Sequence, residues 1–215
     1  MLSSHVLAGF VTFEGIDGAG KTTVSRLVAE FLQAKGHAIF LTSEPTKTWL
    51  GDAVRRACDD DVGAVAESFL FLADRAAHVD EIRSHLENGD LVLCDRYADS
   101  TYAYQGARLK GIVRDPIRFL QQASKGWTLE PDLTVFLRVT PALGLKRIQG
   151  RPTRIRFEEL PFLKEVAANY DRLSRSRRFV VLDGARTAEV VAREATMAIE
   201  NRLTPRRRRG AGNPP

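Results

Sequence analysis

Residues 9–23 read GFVTFEGIDGAGKTT, an apolar run that passes directly into a glycine-rich turn. The first six residues are mostly apolar and rich in β-branched and aromatic side chains, which predicts a buried strand. From Gly15 to Thr22 the sequence fits G-x-x-x-x-G-K-[ST] at every fixed position, and the apolar residues that follow recur at helical spacing. A strand, a phosphate-binding loop and a helix therefore follow one another in the order that this motif requires.

This loop predicts a site for the phosphates of a nucleotide, because backbone N–H groups, a helix N-terminus and one lysine converge on it. Glycines permit the turn and keep side chains out of the path of the phosphates. Lys21 is expected at the β- and γ-phosphates and the Thr22 hydroxyl at a Mg²⁺ ion. The expected nucleotide-binding residues of the loop are Gly15, Ile16, Asp17, Gly18, Ala19, Gly20, Lys21 and Thr22.

Strands and helices alternate along the rest of the chain. Further strands are predicted at 38–42, 91–95, 133–139 and 179–183. Helices are predicted at about 22–36, 66–87, 98–108, 114–125, 141–150, 158–177 and 187–203. A strand–helix–strand order implies parallel pairing with a right-handed crossover, so the sequence predicts an α/β fold with a doubly wound, five-stranded parallel sheet surrounded by helices. We expect residues 1–203 to form one domain.

The composition is that of a soluble globular protein, with 215 residues of which 44% are hydrophobic and 27% charged. No apolar run approaches the ~20 residues of a membrane span, and residues 1–10 lack the charged start of an export signal. Cys94 lies in a predicted buried strand, so we expect no disulfide with Cys58, and a cytoplasmic location is the simplest expectation.

The basic charge is concentrated at the end of the chain, where Arg206 to Arg209 precede GAGNPP. Subtracting these four arginines from the formal net charge of +5 leaves +1, so the body is nearly neutral and lacks the basic patch of a nucleic-acid-binding protein. We expect no specific nucleic-acid partner. The tail at 204–215 is expected to be a solvated, disordered segment, with a weak polyanion contact as the alternative.

A second candidate site follows the strand LVLCD at 91–95, which ends in Asp95 and is followed by Arg96. Open α/β sheets bind ligands at the carboxyl ends of their strands. A carboxylate at this position can hold Mg²⁺ through water, while the planar guanidinium of Arg96 suits a phosphate. No guanine-reading N-K-x-D motif follows, which argues against a GTPase.

From about residue 9 to 203 the chain resembles thymidylate kinases of the nucleoside monophosphate kinase class. The segments that carry the resemblance are FEGIDGAGKTT at 13–23, SEP at 43–45, FLFLADRAAH at 69–78, DRYADSTYAYQG at 95–106, PDLTVFLRV at 131–139 and RFEELPFL at 156–163. The order DRY, ST, AYQG is much more specific than the phosphate loop alone. The RFE form is similar to the archaeal and eukaryotic branches of the family.

The resemblance implies a P-loop kinase that transfers the γ-phosphoryl group of ATP to dTMP, with Mg²⁺ as cofactor and a homodimer as assembly. It implies that Phe71 stacks on thymine, that Arg75 donates to a thymine carbonyl oxygen, and that Tyr104 lies under the deoxyribose. It further implies contacts to the base edge from Thr101 and Gln105, to the acceptor phosphate from Arg96 and Arg55, and to the acceptor sugar and phosphate from Asp17. The expected Mg²⁺ residues are Thr22 and Asp95.

Residues 149–157 are basic and interrupted by glycine and proline, so they are predicted to form a mobile lid over the nucleotide. Because Gly18 and Ala19 leave the phosphate loop without an arginine, the lid is expected to supply one. Arg151 and Arg154 are assigned to the phosphates, and Arg156 to the adenine or to anchoring the lid. The expected catalytic set is thus Lys21, Asp17, Arg96, Arg151 and Arg154; the alternative for the lid is a solvated basic turn.

Two other functions stay open from the sequence. One is a related kinase whose acceptor is dUMP or a modified pyrimidine nucleotide. The other is a P-loop regulatory module that binds a nucleotide and a protein partner without phosphoryl transfer. An assay of transfer from ATP to a panel of nucleoside monophosphates separates all three functions.

Overall fold

A computed structural model of the chain describes residues 7–149 and 159–204. Five strands form one sheet, in which every neighbouring pair is parallel and the order is β2-β3-β1-β4-β5. The strands are β1 (Gly9–Glu14), β2 (Ile39–Ser43), β3 (Leu91–Asp95), β4 (Leu133–Arg138) and β5 (Phe179–Asp183). The predicted five-stranded parallel sheet is confirmed.

Helices surround this sheet within the described part of the chain. They are α1 (Lys21–Gln33), α2 (Trp49–Asp60), α3 (Ala64–Glu87), α4 (Ala98–Arg108), α5 (Pro116–Ser124), α6 (Pro141–Ile148), α7 (Leu160–Leu173) and α8 (Ala188–Leu203). Helix α1 packs against α8, and α4 packs against α5 and α7. The helices in residues 7–149 and 159–204 include none with the length and apolar character that a membrane crossing requires.

Two helix predictions differ from the structure. Helix α2 was not predicted, because its buried face consists only of Gly51, Val54 and Ala57, which is too little to mark an apolar stripe. The helix predicted over 158–177 ends at Leu173 instead, because the chain turns to enter β5 and the Phe179 N–H donates to the Ser176 carbonyl oxygen at 3.1 Å.

The central strands place the candidate site at one edge of the sheet. Residues Leu91 to Cys94 of β3 are completely buried, as expected for a parallel strand covered by helices on both faces. In the register of β1 and β3, Phe13 lies opposite Asp95. The phosphate loop after β1 and the Asp95–Arg96 segment after β3 therefore lie side by side at the carboxyl ends of neighbouring strands.

Part of the predicted organisation lies outside the described residues. This applies to residues 150–157 of the predicted lid, with Arg151, Arg154 and Arg156, and to residues 205–215 of the predicted tail. Their assigned roles stay predictions.

Candidate active site

Lys21 is the first residue of α1 and is only 5% exposed. Its Nζ donates to the Ile16 carbonyl oxygen at 2.9 Å, so the ammonium group is held against the phosphate loop. Burial, and after it the neighbouring Arg96, lower the pKa of Lys21 to about 8. A phosphate anion beside this group would favour its charged form. The loop therefore holds a buried cation for which the nearby carboxylates of Asp17, Asp95 and Glu14 compensate only in part.

Thr22 and Asp95 meet at the position predicted for Mg²⁺. The Thr22 hydroxyl donates to Asp95 Oδ2, while Asp95 Oδ1 is buried and has no hydrogen-bond partner among the described residues. The same residues contain no cluster of three or more histidine, cysteine or acidic side chains that could hold a metal by themselves. One hydroxyl and one carboxylate fit Mg²⁺, which usually takes few protein ligands and completes its shell with phosphate and water.

Arg96 and Tyr104 both contact Asp17 of the phosphate loop. Arg96 Nη2 donates to Asp17 Oδ1, and the Tyr104 hydroxyl donates to Asp17 Oδ2 at 2.8 Å. The guanidinium carbon of Arg96 lies 5.3 Å from the centre of the Tyr104 ring. Burial opposes the charge on Arg96, but Asp17 raises the pKa of the guanidinium well above its ordinary value. Three residues predicted on the acceptor side are thus brought together around one permanent cation.

Arg75, on α3, is 1% exposed and only partly satisfied. Its Nη2 donates to Glu44 Oε2 at 2.5 Å and to Thr101 Oγ1 at 2.8 Å. Its Nε and Nη1 are buried without a hydrogen-bond partner among the described residues, and so is Gln105 Oε1. Unpaired buried donors and acceptors are costly, so this cluster fits a ligand that supplies the missing partners.

Glu44 and His78 support Arg75 and were not predicted as site residues. Glu44 Oε1 lies 3.0 Å from His78 Nδ1, and His78 Nε2 lies 2.8 Å from Thr42 Oγ1. A buried arginine requires a carboxylate partner, and that rule could have directed attention to the Glu44 of the quoted SEP segment. His78 has no comparable signal in the sequence, because its role depends on the contact between α3 and the end of β2.

Two further predicted residues, Phe71 and Arg55, form no hydrogen bond with this cluster among the described residues. Phe71 is half-buried and precedes Arg75 by four residues on α3, so both project from the same side of the helix. Arg55, on α2, is exposed and donates to the carbonyl oxygens of Pro45 at 3.3 Å and Thr46 at 2.8 Å. It therefore lies beside the loop that carries Glu44, and its predicted phosphate contact stays a prediction.

A cleft of about 450 Å³ opens over the phosphate loop. Two arginines on its wall were not predicted, Arg147 of α6 and Arg186 of the turn before α8. Arg147 Nη1 donates to the carbonyl oxygens of Gly18 at 3.2 Å and Gly184 at 2.7 Å. Arg186 pairs with Glu194 at 2.5 Å. Neither arginine belongs to a recognisable motif, so only the folded chain reveals their position.

The phosphate loop packs directly against the backbone of α6. Gly18 has a φ of +79°, and a Cβ atom there would lie 2.2 Å from the Gly144 carbonyl oxygen. Contacts under 3.0 Å require something to shift, and here the neighbouring atom is backbone. This position of the loop therefore excludes any side chain while α6 keeps its place.

Comparison with known proteins gives a consistent result. A family model described as thymidylate kinase matches residues 13–195. A probable thymidylate kinase of Methanococcoides burtonii is 41% identical over 192 residues, which cover 88% of this chain and 94% of the relative. One of Methanosarcina barkeri is 39% identical over 193 residues, covering 88% and 94%. A thymidylate kinase of Desulfovibrio desulfuricans is 42% identical over 219 residues, covering 94% and 99%.

Proposed function

The chain belongs to the thymidylate kinase family, and we propose that it transfers the γ-phosphoryl group of ATP to dTMP through the residues described above. The observation that carries this proposal is the shared edge of β1 and β3, where a buried lysine on a phosphate loop lies beside Arg96. A donor site and an acceptor-phosphate site thus adjoin one another, which is what a direct transfer between two nucleotides requires.

On the donor side, the backbone of residues 15–22 holds the phosphates of ATP and Lys21 contacts the β- and γ-phosphates. Thr22 and the unpaired oxygen of Asp95 are the residues that would hold Mg²⁺. When bound, this ion would neutralise negative charge on the phosphates that develops during transfer. The family uses ATP as phosphoryl donor; the assignment of Mg²⁺ to these two residues is part of the proposal.

On the acceptor side, Arg96 binds the phosphate of dTMP with guanidinium N–H groups that do not bond to Asp17. This phosphate is largely ionised near pH 7, because its second pKa is about 6, so its oxygen can attack without a strong base. Phe71, Arg75, Thr101 and Gln105 bind thymine. Tyr104, whose hydroxyl is fixed on Asp17, supports the deoxyribose and crowds a 2′-hydroxyl.

The acceptor pocket predicts a defined order of substrates. We expect dTMP to be the best acceptor, dUMP to be weaker by about 1–3 kcal/mol of transition-state binding because only one methyl contact is lost, and AMP and GMP to be very poor. ADP formation from ATP with each monophosphate in turn measures kcat/KM. If AMP or GMP equalled dTMP, the proposed pocket would be wrong, and if dUMP exceeded dTMP, the acceptor would be misassigned. Absence of transfer to every monophosphate would favour the regulatory module.

Two arginines of different exposure provide a matched pair for the same assay. Arg75→Ala removes the buried donors assigned to thymine and is expected to raise the KM for dTMP by about 10-fold or more, on the scale of a charge-assisted hydrogen bond. Arg26→Ala removes an exposed arginine of α1 that pairs with Glu30, so its KM should change little. Equal effects of the two substitutions would contradict the role given to Arg75.

We further propose a homodimer formed through α3. This helix buries Leu72, Val79 and Ile82, but its opposite side carries further apolar residues, with Val65 40% exposed and Phe69 51% exposed. The exposed alanines of that side are Ala66, Ala73, Ala76 and Ala77. A helix that is apolar on opposite sides is usually covered on both, and alanines let a second helix approach closely. A second copy of α3 is a suitable partner for this face.

Ala73→Arg places a long charged side chain in the middle of this face and is expected to convert the dimer to a monomer. Light scattering coupled to size-exclusion chromatography gives the mass of the 23.9 kDa chain or twice that value. The control is Ala168→Arg, which changes an exposed alanine of α7 and should leave a dimer. A wild-type protein that is monomeric at micromolar concentration contradicts the proposal.

We also place the reaction in the cytoplasm. Cys94 is a buried thiol of β3 whose Sγ donates to the Arg96 carbonyl oxygen at 2.9 Å, an arrangement that needs no oxidising compartment. Burial raises the pKa of this thiol well above its ordinary value, so it stays protonated and unreactive.

A further inference from the structure

Glu14 is a completely buried carboxylate that the reaction described above does not use. It is the last residue of β1 and directly precedes the phosphate loop. Its Oε1 accepts from the Tyr97 N–H at 2.9 Å, and its Oε2 accepts from the Ser100 hydroxyl at 2.6 Å and the Tyr170 hydroxyl at 2.9 Å. Burying a carboxylate costs free energy, so a buried glutamate whose two oxygens are both hydrogen-bonded is expected to have a specific role.

The backbone at Arg96 gives the first part of that role. Arg96 has a φ of +69°, in the left-handed region that residues other than glycine rarely adopt. The conformation is held from both sides by the end of β1, since the Arg96 N–H donates to the Phe13 carbonyl oxygen at 3.0 Å and the following Tyr97 N–H donates to Glu14. Strained backbone persists only where the surroundings fix it in this way.

The side chain of Arg96 gives the second part. Ser100 donates its hydroxyl hydrogen to Glu14, so its oxygen can accept from Arg96; the same oxygen also lies 2.9 Å from the Tyr170 hydroxyl. Arg96 Nη1 lies 3.3 Å from this oxygen. Glu14 thus acts on Arg96 twice, through the backbone at Tyr97 and through the hydroxyl of Ser100.

We propose that Glu14 is a positioning residue for the acceptor phosphate, which holds Arg96 in the one orientation that binds dTMP. This inference rests on the proposed function, in which Arg96 is the ligand of that phosphate. Tyr170 of α7 bonds to the same carboxylate oxygen as Ser100 and lies 2.9 Å from the Ser100 hydroxyl, so it belongs to the same network. The Glu14 carboxylate thus bonds to Tyr97 and Ser100, which follow Arg96 along the chain, and its effect is expected on the acceptor side.

Charge on Glu14 is not essential to this role. Burial, and after it the nearby Asp99, raise the pKa of Glu14 to about 7, so a neutral side chain fits the site. A glutamine can accept from the Tyr97 N–H with its oxygen and donate to the hydroxyls of Ser100 and Tyr170, which rotate to accept. An alanine provides none of these contacts.

The test compares Glu14→Ala and Glu14→Gln with Thr12→Val, which removes another buried polar group of β1, one that bonds to the Thr134 hydroxyl at 3.0 Å. We expect Glu14→Ala to raise the Kd and KM for dTMP by about 10- to 100-fold, the range of a lost hydrogen bond to a charged group, while the KM for ATP stays within about three-fold. Glu14→Gln and Thr12→Val should keep the dTMP values within about three-fold of the wild type. The KM and Kd do not depend on how much protein is folded.

Two results overturn the inference. One is an equal rise in the KM for ATP, which would make Glu14 a support of the phosphate loop. The other is a folded Glu14→Ala protein with an unchanged dTMP Kd. If Glu14→Ala does not fold, Ser100→Ala and Thr12→Val decide. Ser100→Ala breaks the path to Arg96 and should weaken dTMP binding, Thr12→Val should not, and equal effects would overturn the inference.

The proposed function is tested separately by wild-type transfer to dTMP. Calorimetric dTMP binding needs no ATP and no turnover, so a wild-type protein that binds dTMP without phosphorylating it would contradict the function and still allow the Glu14 comparison. A wild-type protein that does not bind dTMP overturns both.

Discussion

Lys21→Ala is expected to lower kcat/KM by at least about 10³-fold without loss of the fold, because it removes the charge that the phosphate loop directs at the β- and γ-phosphates. The ammonium group lies in a buried position on the loop, so no solvent cation of comparable geometry can replace it. Steady-state kinetics with saturating dTMP measure the loss, and circular dichroism measures the fold.

The stability of this variant is expected to rise at neutral pH. Burial lowers the pKa of Lys21 from 10.5 to about 8, so the folded protein holds the proton less tightly than the unfolded chain does. The favourable contribution of Lys21 is therefore complete above pH 10.5, where it is neutral, and is lost as the pH falls through about 8. At pH 7 the charged lysine destabilises the ligand-free fold, so its removal should keep or raise the Tm.

Because activity should fall while the Tm stays the same or rises, the loss of activity cannot be attributed to unfolding. Lys35→Ala is the control, since Lys35 is half-exposed and pairs with Glu200, and it should change neither activity nor Tm substantially. A folded Lys21→Ala protein that keeps its activity within ten-fold of the wild type would contradict the assignment of the loop to the phosphates of ATP.

Arg151→Ala and Arg154→Ala are each expected to lower kcat by about 10³–10⁵-fold, the range of an arginine that acts in phosphoryl transfer. Both residues belong to the segment outside the described ranges, and the cations inside those ranges are already engaged. Arg147 is committed to backbone carbonyl oxygens and Arg186 to Glu194, while Gly18 excludes a side chain at its position of the loop. Among the described residues of the cleft, Lys21 and Arg96 are the other cations, and both have assigned phosphates.

The KM for dTMP should change little in these variants, because an interaction made mainly in the transition state lowers kcat. Arg118→Ala, an exposed arginine of α5 outside the cleft, is the control and should cost under about 1 kcal/mol. If both single variants and the double variant keep kcat within a few-fold of the wild type, the segment at 149–157 only covers the nucleotide. The transition-state cation would then come from Arg96 or Arg55.

The parts of this molecule that depend on local sequence were predicted well. Strands β1, β3 and β5 begin and end at the predicted residues, because apolar runs bounded by glycine or a polar residue have clear limits. The phosphate loop was also predicted, because its motif lies within consecutive residues of the chain. Helix α2 was missed, because its small buried face depends on α3 and the loop after β2 for its cover.

The site residues that were missed are defined by contacts between distant segments. His78 acts through Glu44, which is 34 residues away, and Arg147 binds Gly18 across 129 residues. Glu14 was quoted as part of the loop motif, but its bonds to Tyr97 and Tyr170 exist only after β1, β3 and α7 come together. A single sequence does not show which distant residues come into contact, unless their residue types form a known motif.

Helix α3 has one further consequence, because it carries Phe71 and Arg75 of the acceptor pocket and, on its other side, the face proposed to bind a second copy. Two equilibria that share one helix are thermodynamically linked: whatever factor subunit association adds to the affinity for dTMP, dTMP adds to the affinity between subunits. Where that factor exceeds one, the substrate acts as a ligand of the assembly, and dilution of the protein weakens its substrate binding. Oligomeric state and substrate concentration would have to be specified together for any affinity measured on this protein.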